Sequence, residues 1–491
     1  MTTADSQSKK NPPPPQAVLH VAMLPFLAMS HLLPFAHLSN ILAQRGGIRV
    51  TFISTPRNLT RLHPSLSPAV NRLTLPFPSS APELPDHAEC NIDVPPNKRH
   101  LINKAFDLLQ QPVARFLEEA KPDWVVFDYL TYWLPPIAAR LSISSAFFST
   151  STAAMLGFQG PPEALLRCPK RDASSTADAS IEDTITKKSA WIPFETNVRM
   201  RVFELRKFAQ IMPPHEEQED DTAGPNDTVR FGMALTGSDV ILFRSSPELE
   251  PEWFDLVSDL YKKPIIPLGL IPPAPSPGVD SLSSSTTEPT CAIFDWLSEQ
   301  KVGSVVYVAL GTQVAPSQDE IGQLALGLEQ CGLPFFWVLR KSPWTGQAPL
   351  DMLPPGYLDR VRERAMLWTG WAPQVKILGH DSVGGFVTHC GWSSVVEGLS
   401  FGRALILLPF LYDQGVNARL LEEKKLGVEI ARDEFDGRFT SDAVAESIRV
   451  AMVEEGGKCV RENVCKMKEM LADGAINDKY IDEFVKQLSR M

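Results

Sequence analysis

Residues 371–414 read WAPQVKILGHDSVGGFVTHCGWSSVVEGLSFGRALILLPFLYDQ, and this segment carries the strongest indication of the fold of the chain. At its centre, the apolar run GGFVTH predicts a buried strand, and a helix is predicted to begin near Ser393 and Ser394. A helix N-terminus presents free N–H groups and a partial positive charge, which together bind a phosphate group without a metal ion. Gly391, in the turn between strand and helix, lets the backbone approach such a group closely. The segment therefore predicts a phosphate-bearing ligand at the end of a strand in an α/β sheet.

The side chains around this turn suit the other parts of a nucleotide. His389 and Ser394 can donate hydrogen bonds to phosphate. Glu397, about one turn into the helix, is placed to accept hydrogen bonds from a ribose diol, as acidic residues do in other nucleotide folds. Trp371 can lay its ring against a base, and the amide of Gln374 can bind the edge of that base. These residue types in this order predict a nucleotide site.

A second polar pair extends the predicted site toward a sugar. Asp413 and Gln414 follow the apolar run ALILLPF, which predicts another strand. The carboxyl ends of parallel strands share one edge of a sheet, so this pair is expected on the same crevice rim. A carboxylate beside an amide can bind several hydroxyl groups.

Two other kinds of site fit the segment less well. His380, His389 and Cys390 could suggest zinc, but two of them are adjacent and no fourth ligand has a suitable spacing. The glycines do not form the GxGxxG pattern of an NAD site, which makes an oxidoreductase a weak alternative.

The rest of the chain repeats the strand and helix pattern in two halves. A length of 491 residues favours two domains. The first half has strand-like runs at AVLHVAMLPFLA, IRVTFIST, DWVVFDY and SAFFST, and the pattern restarts at SVVYVAL after a stretch rich in Pro and Ser. The predicted fold is α/β, with two Rossmann-like doubly wound domains that face each other across a cleft. The predicted divisions are a disordered tail at 1–16, an N-terminal domain at 17–262, a linker at 263–290, a C-terminal domain at 291–475, and a C-terminal helix at 476–491 that packs back on the N-terminal domain.

Composition excludes several classes of partner. The net charge is −11, and no basic run provides a surface for nucleic acid. The seven cysteines contain no CxxC pair, which favours reduced thiols. The N-terminal residues lack the apolar region of a signal peptide, and no apolar stretch approaches the ~20 residues of a membrane span. We therefore expect a cytoplasmic monomer without membrane insertion.

The segment 371–414 closely resembles the signature box of plant family 1 UDP-dependent glycosyltransferases, and the resemblance extends over nearly the whole chain. It implies the GT-B fold and a UDP-sugar co-substrate, with no other cofactor and no metal. Two positions depart from the box, because Ser393 replaces a usual Asn beside the phosphate and Ala404 replaces a usual Pro; the first change is expected to weaken one phosphate contact. The residues that match the box's spacing are Trp371, Gln374, His389, Gly391, Trp392, Ser394, Glu397, Pro409, Asp413 and Gln414.

The resemblance also implies a role for each part of the donor site. The base is expected against Trp371 and Gln374, the ribose on Glu397, the diphosphate on Thr312, His389 and Ser394, and the sugar on Trp392, Asp413 and Gln414. Gln414 favours glucose as the donor sugar. The full set expected to bind the donor is Thr312, Trp371, Ala372, Gln374, His389, Gly391, Trp392, Ser393, Ser394, Glu397, Asp413 and Gln414.

His31 and Asp128 are the candidate catalytic pair. His31 follows the first predicted strand, and an imidazole has a pKa suited to removing a proton from an acceptor hydroxyl. Asp128 ends the strand-like run WVVFDY and is expected to bind the other ring nitrogen. The resemblance places the family's His–Asp dyad on these two residues, for an inverting transfer that needs no divalent metal.

The acceptor is expected to be a small hydrophobic plant metabolite that already carries a sugar, such as a terpenoid or flavonoid glycoside. One of Ser149, Thr150 and Thr152 is expected to touch the donor sugar, and the sequence does not decide which. Three alternatives stay open: a transferase that uses UDP-rhamnose, a scaffold that binds UDP-sugar without catalysis, and a UDP-sugar hydrolase. The residues expected to line the acceptor site are Tyr132, Trp133, Phe147, Thr150, Met155 and Tyr412.

Overall fold

The computed structural model describes residues 18–63, 65–78, 84–167, 189–211, 225–273, 288–340 and 348–489. The predicted tail at 1–16 lies outside these ranges, and so do residues 274–287 of the predicted linker.

The first half of the chain forms a seven-stranded sheet in which every pairing is parallel. Its spatial order is β3-β2-β1-β4-β5-β6-β7, so the direction of winding reverses between β1 and β4. Its central strands are buried on both faces, as parallel strands covered by helices are. The strands are Leu19–Leu24 (β1), Ile48–Ser54 (β2), Asn71–Thr74 (β3), Trp124–Phe127 (β4), Ser144–Ser149 (β5), Val240–Phe243 (β6) and Ile265–Pro267 (β7).

The second half forms a six-stranded sheet, also parallel throughout, in the order β10-β9-β8-β11-β12-β13. Its winding reverses between β8 and β11. In sheets of this kind, ligands bind outside the carboxyl ends of the strands at the point of reversal. The strands are Val305–Ala309 (β8), Phe335–Val338 (β9), Ala365–Trp368 (β10), Val383–Thr388 (β11), Ala404–Leu407 (β12) and Gly427–Glu429 (β13).

Helices connect the strands and cover both sheets. The helices of the first half are Met29–Ala43 (α1), Pro56–Leu62 (α2), Arg99–Asp107 (α3), Gln110–Ala120 (α4), Leu134–Arg140 (α5), Ala153–Gln159 (α6), Pro162–Leu166 (α7), Val202–Ile211 (α8), Asp227–Gly237 (α9) and Pro251–Tyr261 (α10). Those of the second half are Glu288–Ser298 (α11), Gln318–Gln330 (α12), Tyr357–Val361 (α13), Gln374–Gly379 (α14), Trp392–Ser400 (α15), Gln414–Glu423 (α16), Ser441–Met452 (α17), Lys458–Ala472 (α18) and Gly474–Leu488 (α19).

The last helix, α19, packs against the first sheet. Its apolar residues Ile481, Phe484 and Leu488 are buried in the same core cluster as residues of β1 and α1. The indole N–H of Trp124, in β4, donates to the carbonyl of Leu488 at 3.0 Å. The chain therefore returns to its N-terminal half after it has completed the second sheet.

The predicted linker, 263–290, overlaps the end of the first sheet. Strand β7 lies within this segment and pairs in parallel with β6, and Ile266 of β7 is buried. The first residues of that segment thus belong to the first sheet, and α11 begins at Glu288.

Candidate active site

His31 and Asp128 meet at the point where the winding of the first sheet reverses. His31 lies in the first turn of α1, which follows β1, and Asp128 is the residue after β4. Because β1 and β4 are neighbours, these two positions are adjacent across the sheet edge. The Nδ1 atom of His31 lies 2.9 Å from Oδ2 of Asp128 and 3.1 Å from Oδ1.

The surrounding backbone holds the Asp128 carboxylate in place. Its oxygens accept hydrogen bonds from the backbone N–H groups of Phe26 at 2.9 Å and Tyr129 at 2.7 Å, and the residue is 1% exposed. A carboxylate can only accept, so Nδ1 of His31 is the protonated nitrogen of the neutral ring. This tautomer leaves Nε2 as the basic atom.

Aromatic rings fix the orientation of the His31 imidazole. The ring stacks on Tyr129, with centroids 5.2 Å apart, and meets the edge of Phe26 at 5.9 Å. Burial lowers the pKa of His31, but the charge of Asp128 and the hydrogen bond with it outweigh burial, so the pKa lies above its usual value. Thr150 Oγ1 is 3.3 Å from Nδ1, which places this expected acceptor residue beside the imidazole.

The second sheet has its own reversal point at the ends of β8 and β11, where the sequence predicts the donor site. Here the ring of His389 fills the space between Gly311 and Gly391, where a Cβ on either glycine would come within 2.6 Å of the ring. Burial lowers the pKa of His389 to about 4, so the imidazole is neutral at neutral pH. Its Nδ1 is buried and has no hydrogen-bond partner among the described residues. Thr312 follows Gly311 and is exposed.

Helix α15 begins at Trp392, with Gly391 as its N-cap, one residue before the predicted start. Behind its first turn, the side-chain amide of Gln374 donates to Glu397 Oε2 at 2.7 Å and to Ser394 Oγ at 3.2 Å. Burial raises the pKa of Glu397, although the hydrogen bond from Gln374 opposes this rise. Three of the residues expected to bind the nucleotide therefore form one connected group.

Trp371 lies in the loop after β10, three residues beyond the end of the strand. Its side chain is 72% exposed, which leaves the ring free to cover a base. The loop is held by Trp368, whose indole N–H donates to the Trp371 carbonyl at 3.0 Å. Ala372 is buried, and its carbonyl accepts from the backbone N–H of Gln374 at 2.9 Å.

Trp392 differs from its expected role. Its side chain is buried in the core of the second domain, and its indole N–H donates to the carbonyl of Arg244 at 2.7 Å. The ring is therefore unavailable to a sugar, and the residue can offer a ligand only its backbone N–H at the start of α15. Ser393 is also engaged, because its hydroxyl accepts from Nη1 of Arg244 at 2.8 Å. Arg244 was not a sequence candidate.

Asp413 and Gln414 lie at the start of α16, where the structure joins the two halves of the chain. Asp413 Oδ2 accepts from the hydroxyl of Ser151 at 2.8 Å and from the amide of Asn417 at 3.1 Å. The side-chain oxygen of Gln414 accepts from the backbone N–H groups of Phe410 and Leu411, both at 2.9 Å. These contacts orient the amide and leave its NH₂ group as the donor end.

The structure separates the three hydroxyl residues between which the sequence did not decide. Thr150 contacts His31, as described above. Thr152 is fully buried and caps α6 by accepting from the backbone N–H of Met155 at 3.1 Å. Ser149 donates to the carbonyl of Ser151 at 3.3 Å. Ser151, which the sequence did not single out, is the one that reaches Asp413.

The expected acceptor residues fall into two groups. Trp133 and Phe147 are 5% and 2% exposed and belong to the core, so they offer a ligand almost no surface. Met155 is partly buried against the same core. The ring of Tyr132 lies under the guanidinium of Arg230 at 5.1 Å. The hydroxyl of Tyr412 bonds to Arg99, which joins the second domain to α3 of the first.

Within the ranges that the structure describes, no three His, Cys, Asp or Glu side chains gather as a metal site would require. No helix in the same ranges is long and apolar enough to cross a membrane.

Known proteins are similar to this chain in sequence and in fold. A family described as "UDP-glucoronosyl and UDP-glucosyl transferase" matches residues 284–478. The chain is 45% identical over 474 residues to UDP-glycosyltransferase 91C1 of Arabidopsis thaliana, which covers 96% of each chain. It is 32% identical over 484 residues to anthocyanidin-3-O-glucoside rhamnosyltransferase of Petunia hybrida, again over 96% of each chain.

The solved structures show the same fold. A crystal structure of UGT73P12 from Glycyrrhiza uralensis, complexed with glycyrrhetinic acid 3-O-monoglucuronide, matches with a TM-score of 0.75 at 23% identity, over 96% of each chain. The two facing parallel sheets are thus the GT-B fold, as the resemblance implied. From its sequence relatives and its fold, the chain belongs to the plant family 1 UDP-dependent glycosyltransferases.

Proposed function

We propose that the protein is an inverting, metal-independent transferase that moves glucose from UDP-glucose to a hydroxyl of a small hydrophobic plant glycoside. The observation that carries this proposal is the contact between His31 and Asp128 at the reversal point of the first sheet. Asp413, in the donor region of the second domain, acts on the same imidazole, because its charge contributes to the raised pKa of His31. A base and a sugar-binding carboxylate on opposite sides of one cleft suit a transfer between two bound substrates.

The proposed chemistry starts at Nε2 of His31. This atom removes the proton from the acceptor hydroxyl while the acceptor oxygen forms a bond to C1 of the donor sugar. The bond between C1 and the phosphate oxygen breaks, and its electron pair leaves with UDP. Attack on the face opposite the leaving group inverts C1. Asp128 stabilises the imidazolium that forms, since its carboxylate stays bound to the Nδ1–H group.

The donor is proposed to lie along the first turn of α15. The base stacks on Trp371, and its edge meets Gln374 together with the backbone of Ala372. The ribose diol binds Glu397, displacing part of the hydrogen bonding with Gln374. The diphosphate accepts from the N–H groups after Gly391 and from Ser394, Thr312 and neutral His389. This helix N-terminus supports departure of UDP without a divalent cation.

Two features support the choice of substrates. The side-chain oxygen of Gln414 is bound by two backbone N–H groups, which leaves its NH₂ group to donate to a sugar hydroxyl, and the family resemblance associates this residue with glucose. The acceptor named for the Petunia hybrida relative is itself a glucoside, which supports an acceptor that already carries a sugar, as in terpenoid or flavonoid glycosides. The same relative is a rhamnosyltransferase, so UDP-rhamnose is the second candidate donor.

The direct test is detection of products by mass spectrometry. Purified protein is incubated with UDP-glucose or UDP-rhamnose, in the presence of EDTA, against terpenoid and flavonoid glycosides and their aglycones. The proposal expects a gain of one hexose on glycosides. A gain of one deoxyhexose would change the donor, and a gain on aglycones alone would reject the acceptor class.

The same assay separates the two rivals from other classes. Free glucose released without an acceptor would indicate a UDP-sugar hydrolase. Measurable binding of UDP-glucose with no product across the panel would support a scaffold that binds UDP-sugar without catalysis.

A further inference from the structure

Arg244 attaches the first domain to the first turn of α15 through both its side chain and its backbone. It follows β6 directly and is 2% exposed. Nη1 donates to the hydroxyl of Ser393 at 2.8 Å, and the backbone carbonyl of Arg244 accepts from the indole of Trp392 at 2.7 Å. The rest of the guanidinium donates to two carbonyls after β7, those of Leu270 at 2.9 Å and Ile271 at 3.2 Å.

The guanidinium keeps its positive charge although it is buried. Burial lowers the pKa of Arg244 to about 10, which still leaves the group protonated at neutral pH. Among the described residues, its hydrogen-bond partners are neutral oxygens, and Glu397 acts on it only through longer-range attraction. The charge is felt nearby, because burial and then Arg244 hold the pKa of His37 at about 4. A buried cation without a bound carboxylate is costly unless an anion occupies the site.

The hydrogen bond to Ser393 has a direction that matters for an anion. A guanidinium can only donate, so the oxygen of Ser393 accepts and its own proton must point away from Arg244. Ser393 lies in the first turn of α15, where the N–H groups and the helix dipole favour negative charge. A phosphate oxygen at this helix end would accept a hydrogen bond from the hydroxyl of Ser393.

We propose that Arg244 is a positioning residue for the donor diphosphate, which holds the Ser393 hydroxyl as a donor to a phosphate oxygen and supports the negative charge of departing UDP. This inference rests on the proposed function, in which the diphosphate lies at α15. The hydroxyl of Ser393 can accept from Arg244 and donate to phosphate at the same time. The contact comes from the first domain, so the two domains build the diphosphate site together.

A purely structural role for Arg244 would give different results. In that case the guanidinium only ties the carbonyls of Leu270 and Ile271 to the first sheet, and its loss lowers stability without a specific effect on UDP. Arg403 provides the matched control. Arg403 is a partly buried arginine of the second domain, and its side chain also donates to backbone carbonyls, those of Leu378, Val383 and His380.

The experiment compares Arg244→Met, Ser393→Ala, the double variant and Arg403→Met. Affinity for UDP is measured by calorimetry, and the melting temperature is measured in the same samples. We expect Arg244→Met and Ser393→Ala each to weaken UDP binding by about tenfold, the size typical of one hydrogen bond involving a charged group. Because the two residues act through one contact, the double variant is expected to bind UDP no more than about twofold more weakly than Arg244→Met. Arg403→Met should lower the melting temperature and leave UDP affinity unchanged.

Three results would overturn the inference: wild-type UDP affinity in Ser393→Ala, losses that multiply in the double variant, or a lower melting temperature in Arg244→Met with unchanged UDP affinity. If Arg244→Met does not fold, the single variants Arg244→Lys and Ser393→Ala decide. Lysine keeps the positive charge, so Arg244→Lys is expected to keep part of the wild-type affinity for UDP. UDP binding needs neither an acceptor nor a sugar, so a failure of the proposed transfer does not alter this readout.

Discussion

The hydroxyl of Ser151 and the carboxylate of Asp413 join the two domains by a hydrogen bond of 2.8 Å. Ser151 follows the strand that ends at Ser149, and Asp413 directly precedes the helix that begins at Gln414. The charge of Asp413 also acts on the catalytic candidate His31. The residue proposed to hold the donor sugar thus lies near enough to the residue proposed to activate the acceptor for its charge to affect the pKa of that residue.

The first prediction concerns the pH dependence of transfer. A base acts in its neutral form, and the pKa of His31 lies above 6.5, so activity should rise with pH along a limb whose midpoint exceeds 6.5. Asp128→Asn removes the charge that raises this pKa, so the limb should move to lower pH while kcat falls by about 10²-fold or more. Initial rates between acidic and basic pH measure both effects.

Asp123→Asn is the control for this change. Asp123 lies beside the same strand and accepts from the backbone N–H of His20 at 2.7 Å, a bond that an asparagine oxygen can keep. Its pH limb should match the wild type. An unshifted limb in Asp128→Asn would remove Asp128 from its proposed role.

Gln414 is predicted to act on the donor sugar more than on UDP. Gln414→Ala should lower kcat/KM for UDP-glucose by at least about tenfold, while affinity for UDP stays within about threefold. Gln414→Glu is the sharper variant, because its oxygen can still accept from Phe410 and Leu411 while the NH₂ group is lost. Equal losses in UDP affinity and sugar transfer would contradict the assignment and indicate a disturbed loop.

Gly391 is predicted to be required for the position of His389. Gly391→Ala would place a Cβ 2.6 Å from Nε2 of His389, so the ring must move and UDP affinity should fall by at least about tenfold. Gly322→Ala is the matched control, since Gly322 lies within α12 and its added Cβ would meet no atom within 4 Å. That substitution should raise the melting temperature without affecting UDP. Wild-type UDP binding in Gly391→Ala would show that the ring has room to adjust.

The contact of α19 with the first sheet is predicted to support the stability of the whole chain. Phe484 is fully buried in the core cluster that contains β1 and α1. Phe484→Ala should cost about 3–5 kcal/mol in the free energy of unfolding, because it leaves a cavity in that cluster. Lys486→Ala, at an exposed position of the same helix, should have little effect. Thermal unfolding followed by circular dichroism compares the two, and equal melting temperatures would mean that α19 is not coupled to the sheet.

The sequence predicted the strands and other features that depend on residues close together in the chain. The apolar runs gave the position of β1, β4, β8 and β11, because strands buried on both faces are continuously apolar. Ser317 and Glu320 form a capping box at the start of α12, and such a box depends only on residues three apart. The meeting of His31 with Asp128 was expected because each follows or ends a strand-like run and because the resemblance places the family's His–Asp dyad on them.

Features that depend on contacts distant in sequence were missed or misjudged. Arg244 and Ser151 lie on loops of the first domain, and nothing beside them in the sequence reveals that they reach Ser393 and Asp413. The ring of Trp392 was expected at the donor sugar, but the close approach of Arg244 gives its indole a buried partner instead. Strand β7 was assigned to the linker because its prolines masked a short pairing with β6.

The most direct test of the account compares transfer and UDP binding in His31→Ala. Among the described residues, the imidazole of His31 has hydrogen-bonding contacts with Asp128 and Thr150, and none with the turn around Gly391. The account predicts that product formation from UDP-glucose, followed by mass spectrometry in a single-turnover experiment, falls to the background rate, while affinity for UDP stays within about threefold of wild type. Retained turnover in a variant that still binds UDP would contradict it, because another group would then have to remove the acceptor's proton.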